Sequence, residues 1–106
     1  MRLYHNPRCS KSREALNLLK TRGIEFEEYR YIQCGIDPED IKILIKLEGI
    51  IRENNLDSVM EFNPENKLQI ENVLKTNPQL MQRPILINNG KAVIGRPPEL
   101  ILTLLP

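Results

Sequence analysis

The sequence has few of the residues on which specialised scaffolds depend. Its 106 residues include no tryptophan, one histidine, His5, and two cysteines, Cys9 and Cys34. Two cysteines are too few for a disulfide-stabilised scaffold, so we expect free thiols in a reducing cytoplasm. One histidine without partners at ligand spacing argues against a bound metal.

The sequence has neither an excess of charge of one sign nor a long apolar run. Fifteen Lys and Arg residues against fourteen Asp and Glu give a formal net charge of +1, so no overall field attracts nucleic acid or a membrane surface. No apolar run approaches the roughly 18–20 residues that span a bilayer. Arg2, His5 and Pro7 interrupt the segment where a secretory signal needs its apolar core. We expect one domain over residues 1–106, without nucleic-acid or membrane partners.

The stretch around Cys9 carries the clearest chemical signal in the chain. Arg8, Lys11 and Arg13 flank this cysteine, whereas a packing cysteine has apolar neighbours. Apolar residues recur with helical spacing from residue 15 onward, which places Cys9 where a short strand ends and a helix begins. The free N–H groups and partial positive charge of a helix start favour a thiolate. The sequence therefore predicts a sulfur nucleophile beside an anion site.

Structural explanations exist for the same residues. Free cysteine is among the most buried residue types, so Cys9 could be inert packing. Ser10 and Ser12 are natural helix-start residues that cap free N–H groups, and either can cap and still donate to a thiolate. The polar and cationic surroundings favour the reactive interpretation.

The first third of the chain predicts a βαβ unit. Residues 1–4 predict a short strand, residues from about 10 to 22 a helix that stops at Gly23, and residues 24–32 a second strand. A strand, a helix and a strand within about thirty residues form a parallel pair with a right-handed crossover.

The remaining chain predicts helices and then a hairpin. Asp37-Pro38 and Asn63-Pro64 are helix-start signals, while residues 50–61 are helical in composition but weakly periodic. Strands at 85–88 and 91–94 flank Asn89-Gly90, a strong hairpin signal, and a last helix follows. The predicted fold class is α/β: a thioredoxin-like four-stranded mixed sheet with an inserted helical segment at about 36–80. By analogy with that fold, Pro84 before the third strand is expected to be cis.

Three motifs in this order carry a resemblance to a known family: His5-Asn6-Pro7-Arg8-Cys9-Ser10-Lys11-Ser12-Arg13, Arg83-Pro84-Ile85 and Gly95-Arg96-Pro97-Pro98-Glu99. Together they resemble the glutaredoxin-linked arsenate reductases over nearly the whole chain. The resemblance implies a thioredoxin-like oxidoreductase of arsenic detoxification. It also implies arsenate as substrate, glutathione as co-substrate, glutaredoxin as partner and no bound cofactor. We expect a monomer.

The resemblance also implies residue roles. Cys9 attacks arsenate to form a sulfur–arsenic adduct, glutathione attacks next, and glutaredoxin resolves the mixed disulfide. Arg83 and Arg96 match two of the family's three oxyanion-binding arginines, while His5 and Ser12 match residues that tune the ionisation of the cysteine. The chemistry is reasonable, because guanidinium forks neutralise and orient tetrahedral oxyanions.

Several assignments stay open at this point. The family's first oxyanion-binding arginine lies in the helical insertion, which is shortened here. Arg52 is the nearest candidate for it, and the alternative is a solvated surface arginine. Arg83 could snorkel at the surface, and Arg96 could simply belong to a turn. Cys34 could resolve Cys9 or be incidental, since nothing in the sequence fixes their separation.

Two other functions share the same resemblance. Spx-type regulators bind RNA polymerase and usually carry a C-x-x-C redox switch, which Cys9-x-x-Ser12 replaces here. The missing second cysteine also argues against self-contained disulfide exchange. The third possibility is a glutathione-linked thiol reductase with another substrate.

Overall fold

The short strand β1 (Arg2–Tyr4) lies inside a four-stranded sheet. The computed structural model describes residues 1–52, 63 and 65–105, and the strand order within them is β2-β1-β3-β4. The other strands are β2 (Glu27–Tyr29), β3 (Ile85–Asn88) and β4 (Lys91–Ile94). β1 pairs in parallel with β2 and antiparallel with β3, and β3 pairs antiparallel with β4. The predicted four-stranded mixed sheet is confirmed.

Helix α1 (Ser10–Thr21) connects the two parallel strands and ends where the sequence predicts. Gly23 adopts a positive φ of 66°, and the N–H of Ile24 donates to the carbonyl of Leu19 at 3.1 Å. This is the hydrogen-bond pattern of a Schellman cap. Because the cap uses Ile24, strand β2 starts only at Glu27, and the prediction of a strand from residue 24 was wrong in its bounds.

The chain turns helical directly after β2. The prediction extended the strand to residue 32, but α2 (Tyr31–Cys34) begins at Tyr31. Apolar and polar residues alternate only in the first half of that stretch, so its second half carried no strand signal. The strand consequently ends beside the loop that leads to Cys9, where the N–H of His5 donates to the carbonyl of Tyr29 at 2.9 Å.

Two longer helices follow before the third strand. α3 (Pro38–Leu44) starts as predicted, with the Asp37 side chain accepting from the N–H of Glu39. α4 (Lys67–Thr76) starts later than predicted, because Asn66 rather than Asn63 caps it. The ambiguous stretch at residues 50–61 lies mostly outside the described residues.

The C-terminal part forms the predicted hairpin and a different final helix. Asn89 and Gly90 have φ of 53° and 75°, as a two-residue type I′ turn requires. The last helix (Pro98–Leu104) is a 3-10 helix. With three residues per turn, its buried side contains Pro98 and Ile101 while Leu100 is exposed. The sequence predicts a last helix with Leu100, Ile101, Leu104 and Leu105 in the core; that prediction is wrong for Leu100, whereas the other three belong to the core cluster or pack against it.

Residues of β1 and β3 face two separate apolar clusters, since side chains alternate along a strand. Leu3 and Leu86 pack with α1 and the final 3-10 helix. Tyr4, Ile85 and Ile87 pack on the opposite face with α3 and α4. β3 is therefore buried on both faces, which explains its uninterrupted apolar sequence.

A polar network connects β1 to α3. Nη1 of Arg2 lies 2.7 Å from a carboxylate oxygen of Asp37 and 2.7 Å from one of Asp40. The buried hydroxyl of Tyr4 donates to the same oxygen of Asp40, and the Arg2 guanidinium lies 4.8 Å from the centre of the Tyr29 ring. These contacts fix the inserted helices against the strand that precedes Cys9.

No helix among the described residues is long and apolar enough to cross a membrane.

Removing the carboxylate of Asp40 is expected to destabilise the fold. Asp40→Ala leaves the buried hydroxyl of Tyr4 and part of the Arg2 guanidinium without an acceptor, so the free energy of unfolding should fall by about 2–3 kcal/mol. Urea denaturation measures this loss. Glu39→Ala, an exposed carboxylate of the same helix turn, is the control and should cost less than about 1 kcal/mol. Equal losses in the two variants would contradict the importance of the network.

Candidate active site

Cys9 lies at the N-cap position of α1, in extended conformation with φ −96° and ψ 124°. Its N–H donates to the carbonyl of Asn6 at 2.9 Å, and its carbonyl accepts from the N–H of Arg13 at 3.0 Å. No side chain caps this helix start. The sulfur is partly buried and takes the place that a capping oxygen usually occupies.

The environment of Cys9 favours the thiolate. Burial alone raises the pKa of its thiol, but the backbone N–H of Ser12, the Arg83 guanidinium and the backbone N–H of Lys11 outweigh burial and lower the pKa below its ordinary value. The helix start therefore acts on the sulfur through its N–H groups, as the sequence predicts.

Two arginines from the far end of the chain reach the sulfur. Nη2 of Arg96 lies 3.7 Å from Sγ of Cys9, and Nε of Arg96 donates to the carbonyl of Arg83 at 3.0 Å. The Arg83 guanidinium lowers the pKa of the same thiol, first through side-chain hydrogen bonding and further through its charge. The structure thus brings Cys9, Arg83 and Arg96 together.

Each of these arginines precedes a cis proline. The bond between Arg83 and Pro84 is cis, which confirms the prediction, and the bond between Arg96 and Pro97 is also cis, which the sequence did not suggest. Gly95 joins the two segments, since its N–H donates to the carbonyl of Pro84 at 2.8 Å. A Cβ at Gly95 would lie 2.8 Å from Cγ of Pro84. The close approach of the arginine-bearing segments therefore depends on a glycine.

His5 and Ser12 lie beneath the cysteine loop. His5 is 2% exposed and its Nδ1 has no partner within the described part of the protein. Burial lowers the pKa of His5, against the opposing charge of Glu28, so its ring is neutral at pH 7. The buried hydroxyl of Ser12 accepts from the N–H of Asn6 at 3.2 Å. It therefore holds the loop, while its backbone N–H faces the thiolate.

The cations that flank Cys9 in sequence face elsewhere. Nη1 of Arg13 donates to the carbonyl of Pro7 at 3.1 Å, Lys11 lies 3.8 Å from Glu14, and Arg8 is exposed. Positive charge at the sulfur instead comes from the two distant arginines, whose proximity local sequence could not reveal.

Sequence reasoning overlooked Asn6. Its carbonyl accepts from Cys9, its N–H donates to Ser12, and its side chain accepts from the N–H of Arg8 at 3.0 Å. An Asn-Pro pair is a turn signal, so Asn6-Pro7 was the available clue.

No hydrogen bond or ion pair within the described residues joins Arg52 or Cys34 to Cys9, Arg83 or Arg96. The N–H of Arg52 donates to the carbonyl of Leu80 at 2.7 Å, in a short antiparallel pairing of Ile51 with Met81. Arg52 thus lies near the segment that leads into Arg83. Cys34 is exposed at the end of α2 and is a free thiol. The suggested roles of both residues stay predictions.

The described residues contain no group of three His, Cys, Asp or Glu that could hold a metal ion.

The sheet and the Cys9 loop define a thioredoxin-like protein with one cysteine at a helix start. The ArsC family model matches residues 4–104. The chain is 43% identical over 111 residues to the uncharacterized protein YfgD of Escherichia coli K12, covering 96% of this chain and 93% of that protein. It is 36% identical over 108 residues to an arsenate reductase of Neisseria meningitidis Z2491, covering 93% and 92%.

Solved structures agree with the sequence comparisons. An arsenate reductase from Vibrio cholerae matches with a TM-score of 0.77 and 35% identity, over 99% of this chain and 98% of that one. A putative arsenate reductase from Yersinia pestis matches with a TM-score of 0.73 and 34% identity, over 96% and 97%. This chain belongs to the ArsC family, which confirms the resemblance and the thioredoxin-like fold class. The relatives support an oxidoreductase activity.

The ionisation of Cys9 can be followed by alkylation with iodoacetamide in a Cys34→Ser background. Because only the thiolate reacts, the rate should rise at a pH below the ordinary cysteine range. Arg83→Ala should shift that rise to higher pH, since a cation that lowers the pKa is lost. Arg22→Ala, at the opposite end of α1, is the control. An unshifted profile in Arg83→Ala would contradict the assigned electrostatic role.

Substitution of Gly95 should disturb the site without touching its functional groups. Gly95→Ala forces the added methyl against the rigid Pro84 ring, so the free energy of unfolding should fall by about 1–3 kcal/mol and the alkylation profile of Cys9 should move toward higher pH. Urea denaturation and the same alkylation assay measure both effects. If Gly95→Ala kept the wild-type stability and the wild-type alkylation profile, the close packing of residue 95 on Pro84 would not matter for the site.

Proposed function

We propose that this protein reduces arsenate to arsenite through Cys9. The observation that carries the proposal is the convergence of a thiolate-favouring helix start with the Arg96 guanidinium, 3.7 Å from the sulfur, in a chain similar to proteins named arsenate reductase. A thiolate at a helix start is a nucleophile, and the two guanidiniums supply the charge that a tetrahedral oxyanion needs. The same cations thus serve the nucleophile and its substrate.

The oxyanion is held by Arg83 and Arg96 in this proposal. Arsenate is negatively charged and would be repelled by a thiolate in the absence of cations. A planar guanidinium offers parallel N–H donors that match two oxygens of a tetrahedral anion. Arg52 is the candidate for a third arginine. Its half-buried position beside residues 80–82 is compatible with that role if its side chain turns toward the segment of Arg83.

The reaction is a two-electron reduction that uses two thiols. The Cys9 thiolate attacks arsenic, a sulfur–arsenic bond forms, and one arsenate oxygen leaves as water after protonation. A glutathione thiolate then attacks the sulfur of Cys9. The sulfur–arsenic bond breaks, its electron pair remains on arsenic, and arsenite leaves. Glutaredoxin removes glutathione from the mixed disulfide and regenerates the Cys9 thiolate.

External thiols are proposed because the site itself has only one. Ser12 occupies the position of the second cysteine in a C-x-x-C motif, and Cys34 is exposed without a bridge. Glutathione and glutaredoxin are abundant where thiols are kept reduced, so we place the activity in the cytoplasm. His5 and Ser12 are proposed to tune Cys9 by holding its loop, with His5 neutral rather than cationic.

Arsenate turnover with glutathione, glutaredoxin and NADPH recycling tests the proposal. Cys9→Ser should reduce turnover to background, whereas Cys34→Ser should retain it. Arg83→Ala and Arg96→Ala should each raise the Michaelis constant for arsenate by roughly tenfold or more, because each removes a charged hydrogen-bond donor. Arg22→Ala is the matched arginine control and should leave it unchanged.

Other outcomes would favour the alternative functions. Unchanged Michaelis constants in both arginine variants would contradict their role in binding arsenate. Absence of arsenate turnover, together with glutathione-dependent reduction of a disulfide substrate, would indicate a thiol reductase of another substrate. Absence of both activities with specific binding to RNA polymerase would indicate an Spx-type regulator.

A further inference from the structure

Few buried side-chain polar atoms lack a hydrogen-bond partner in the part of the chain that the structure describes. Within the residues that the structure describes, three such side-chain atoms occur: Nδ1 of His5, Nε of Arg83 and the hydroxyl of Tyr31. His5 and Arg83 already belong to the Cys9 site. A buried donor that lacks an acceptor costs free energy, so proteins seldom retain one without a reason. Tyr31 is the member of this group to which the reaction described above gives no role.

The fold brings Tyr31 to the same edge of the sheet as Cys9. Tyr31 is the first residue of α2 and follows β2, while the cysteine loop follows β1. Parallel strands end at the same edge, and the N–H of His5 donates to the carbonyl of Tyr29 across that edge at 2.9 Å. The Tyr31 ring packs against the Tyr4 ring at 6.0 Å and is 0% exposed. Packing fixes the ring and leaves the hydroxyl unsatisfied.

The charges of the active site act on this hydroxyl. Burial raises the pKa of Tyr31 to about 12; the positive charge of Arg83 opposes the rise, the negative charge of the Cys9 thiolate adds to it, and the positive charge of Arg96 opposes it. Tyr31 therefore remains a protonated donor at neutral pH. It lies within the electrostatic field of the three groups that surround the sulfur.

Nε of Arg83 and the hydroxyl of Tyr31 are both buried donors without an acceptor among the described residues, and the charge of Arg83 acts on Tyr31. Nε of Arg83 and the hydroxyl of Tyr31 can both be satisfied by an acceptor-rich group, and neither can satisfy the other as donors. We propose that Tyr31 is an additional oxyanion-binding residue, whose hydroxyl donates to an oxygen of the tetrahedral anion held by Arg83 and Arg96. The proposal rests on the proposed function for the identity of arsenate, but the binding of an oxyanion can be tested without turnover.

Access to the hydroxyl must come from the solvent side of the site. The hydroxyl is closed off from solvent in the ligand-free protein, whereas Arg96 is exposed and contacts the sulfur at 3.7 Å. In this proposal Arg96 exchanges its contact with the sulfur for one with the entering anion and then helps to hold that anion. Arg83, whose Nε is buried, remains in place with Tyr31.

Tyr31→Phe separates this role from simple packing, because it removes one hydroxyl and keeps the ring. The ligand-free variant should be at least as stable as the wild type, since an unpartnered buried hydroxyl is lost. Its affinity for an unreactive oxyanion, sulfate or phosphate, should fall roughly tenfold. Thermal unfolding and isothermal titration calorimetry with each anion measure the two quantities, and the Michaelis constant for arsenate should rise in parallel.

Tyr4→Phe is the matched control. The Tyr4 hydroxyl is buried beside the same ring but donates to Asp40, so its loss should lower stability and leave anion affinity unchanged. The proposal is overturned if Tyr31→Phe binds sulfate and phosphate as tightly as the wild type, or if the wild type binds neither at millimolar concentration. Weaker anion binding by Tyr31→Phe in a protein that does not turn over arsenate would support Tyr31 and reject arsenate reduction.

Discussion

The attraction between one thiolate and cations from distant segments organises this molecule. Arg96 reaches the sulfur of Cys9 from 87 residues along the chain, and Arg83 lowers the pKa of the same sulfur. Neither contact is possible unless the segment before β3 and the segment after β4 both lie against the start of α1. The hydrogen bond from Arg96 to the carbonyl of Arg83 and the packing of Gly95 on Pro84 achieve this. The site is thus a property of the tertiary fold more than of the cysteine loop.

The sheet supports the site by dividing the protein into two apolar layers. Leu3 anchors β1 to the layer that contains α1, and Tyr4 anchors it to the layer formed by the inserted helices. The network of Arg2 with Asp37 and Asp40 then fixes the second layer against the strand. Because the loop of Cys9 follows this strand immediately, its position depends on both layers. A strand of three residues can position the Cys9 loop because its side chains pack on both faces of the sheet.

Much of this arrangement could be predicted from sequence where the signal is local. Asp37-Pro38, Asn89-Gly90 and Gly23 each specify a cap or turn, and each lies where it was expected. The predictions were wrong where hydrogen bonding or packing in the folded protein overrides the local sequence pattern. The cap at Ile24 shortened β2, and the final apolar stretch formed a 3-10 helix that leaves Leu100 exposed. The cations beside Cys9 in sequence, such as Arg13, turn away from the sulfur, and the family resemblance, rather than spacing, indicated Arg83 and Arg96.

If thiolate and oxyanion share the same cations, each must weaken the other. The most direct test is a titration of Cys9 by carbon-13 NMR of labelled cysteine in Cys34→Ser protein, with and without saturating sulfate. Sulfate bound at the arginines neutralises the charge that favours the thiolate, so the pKa of Cys9 should be higher with sulfate than without it. By linkage, sulfate should then bind less tightly as pH rises through that pKa. An identical pKa in both conditions, with sulfate demonstrably bound, would contradict the account.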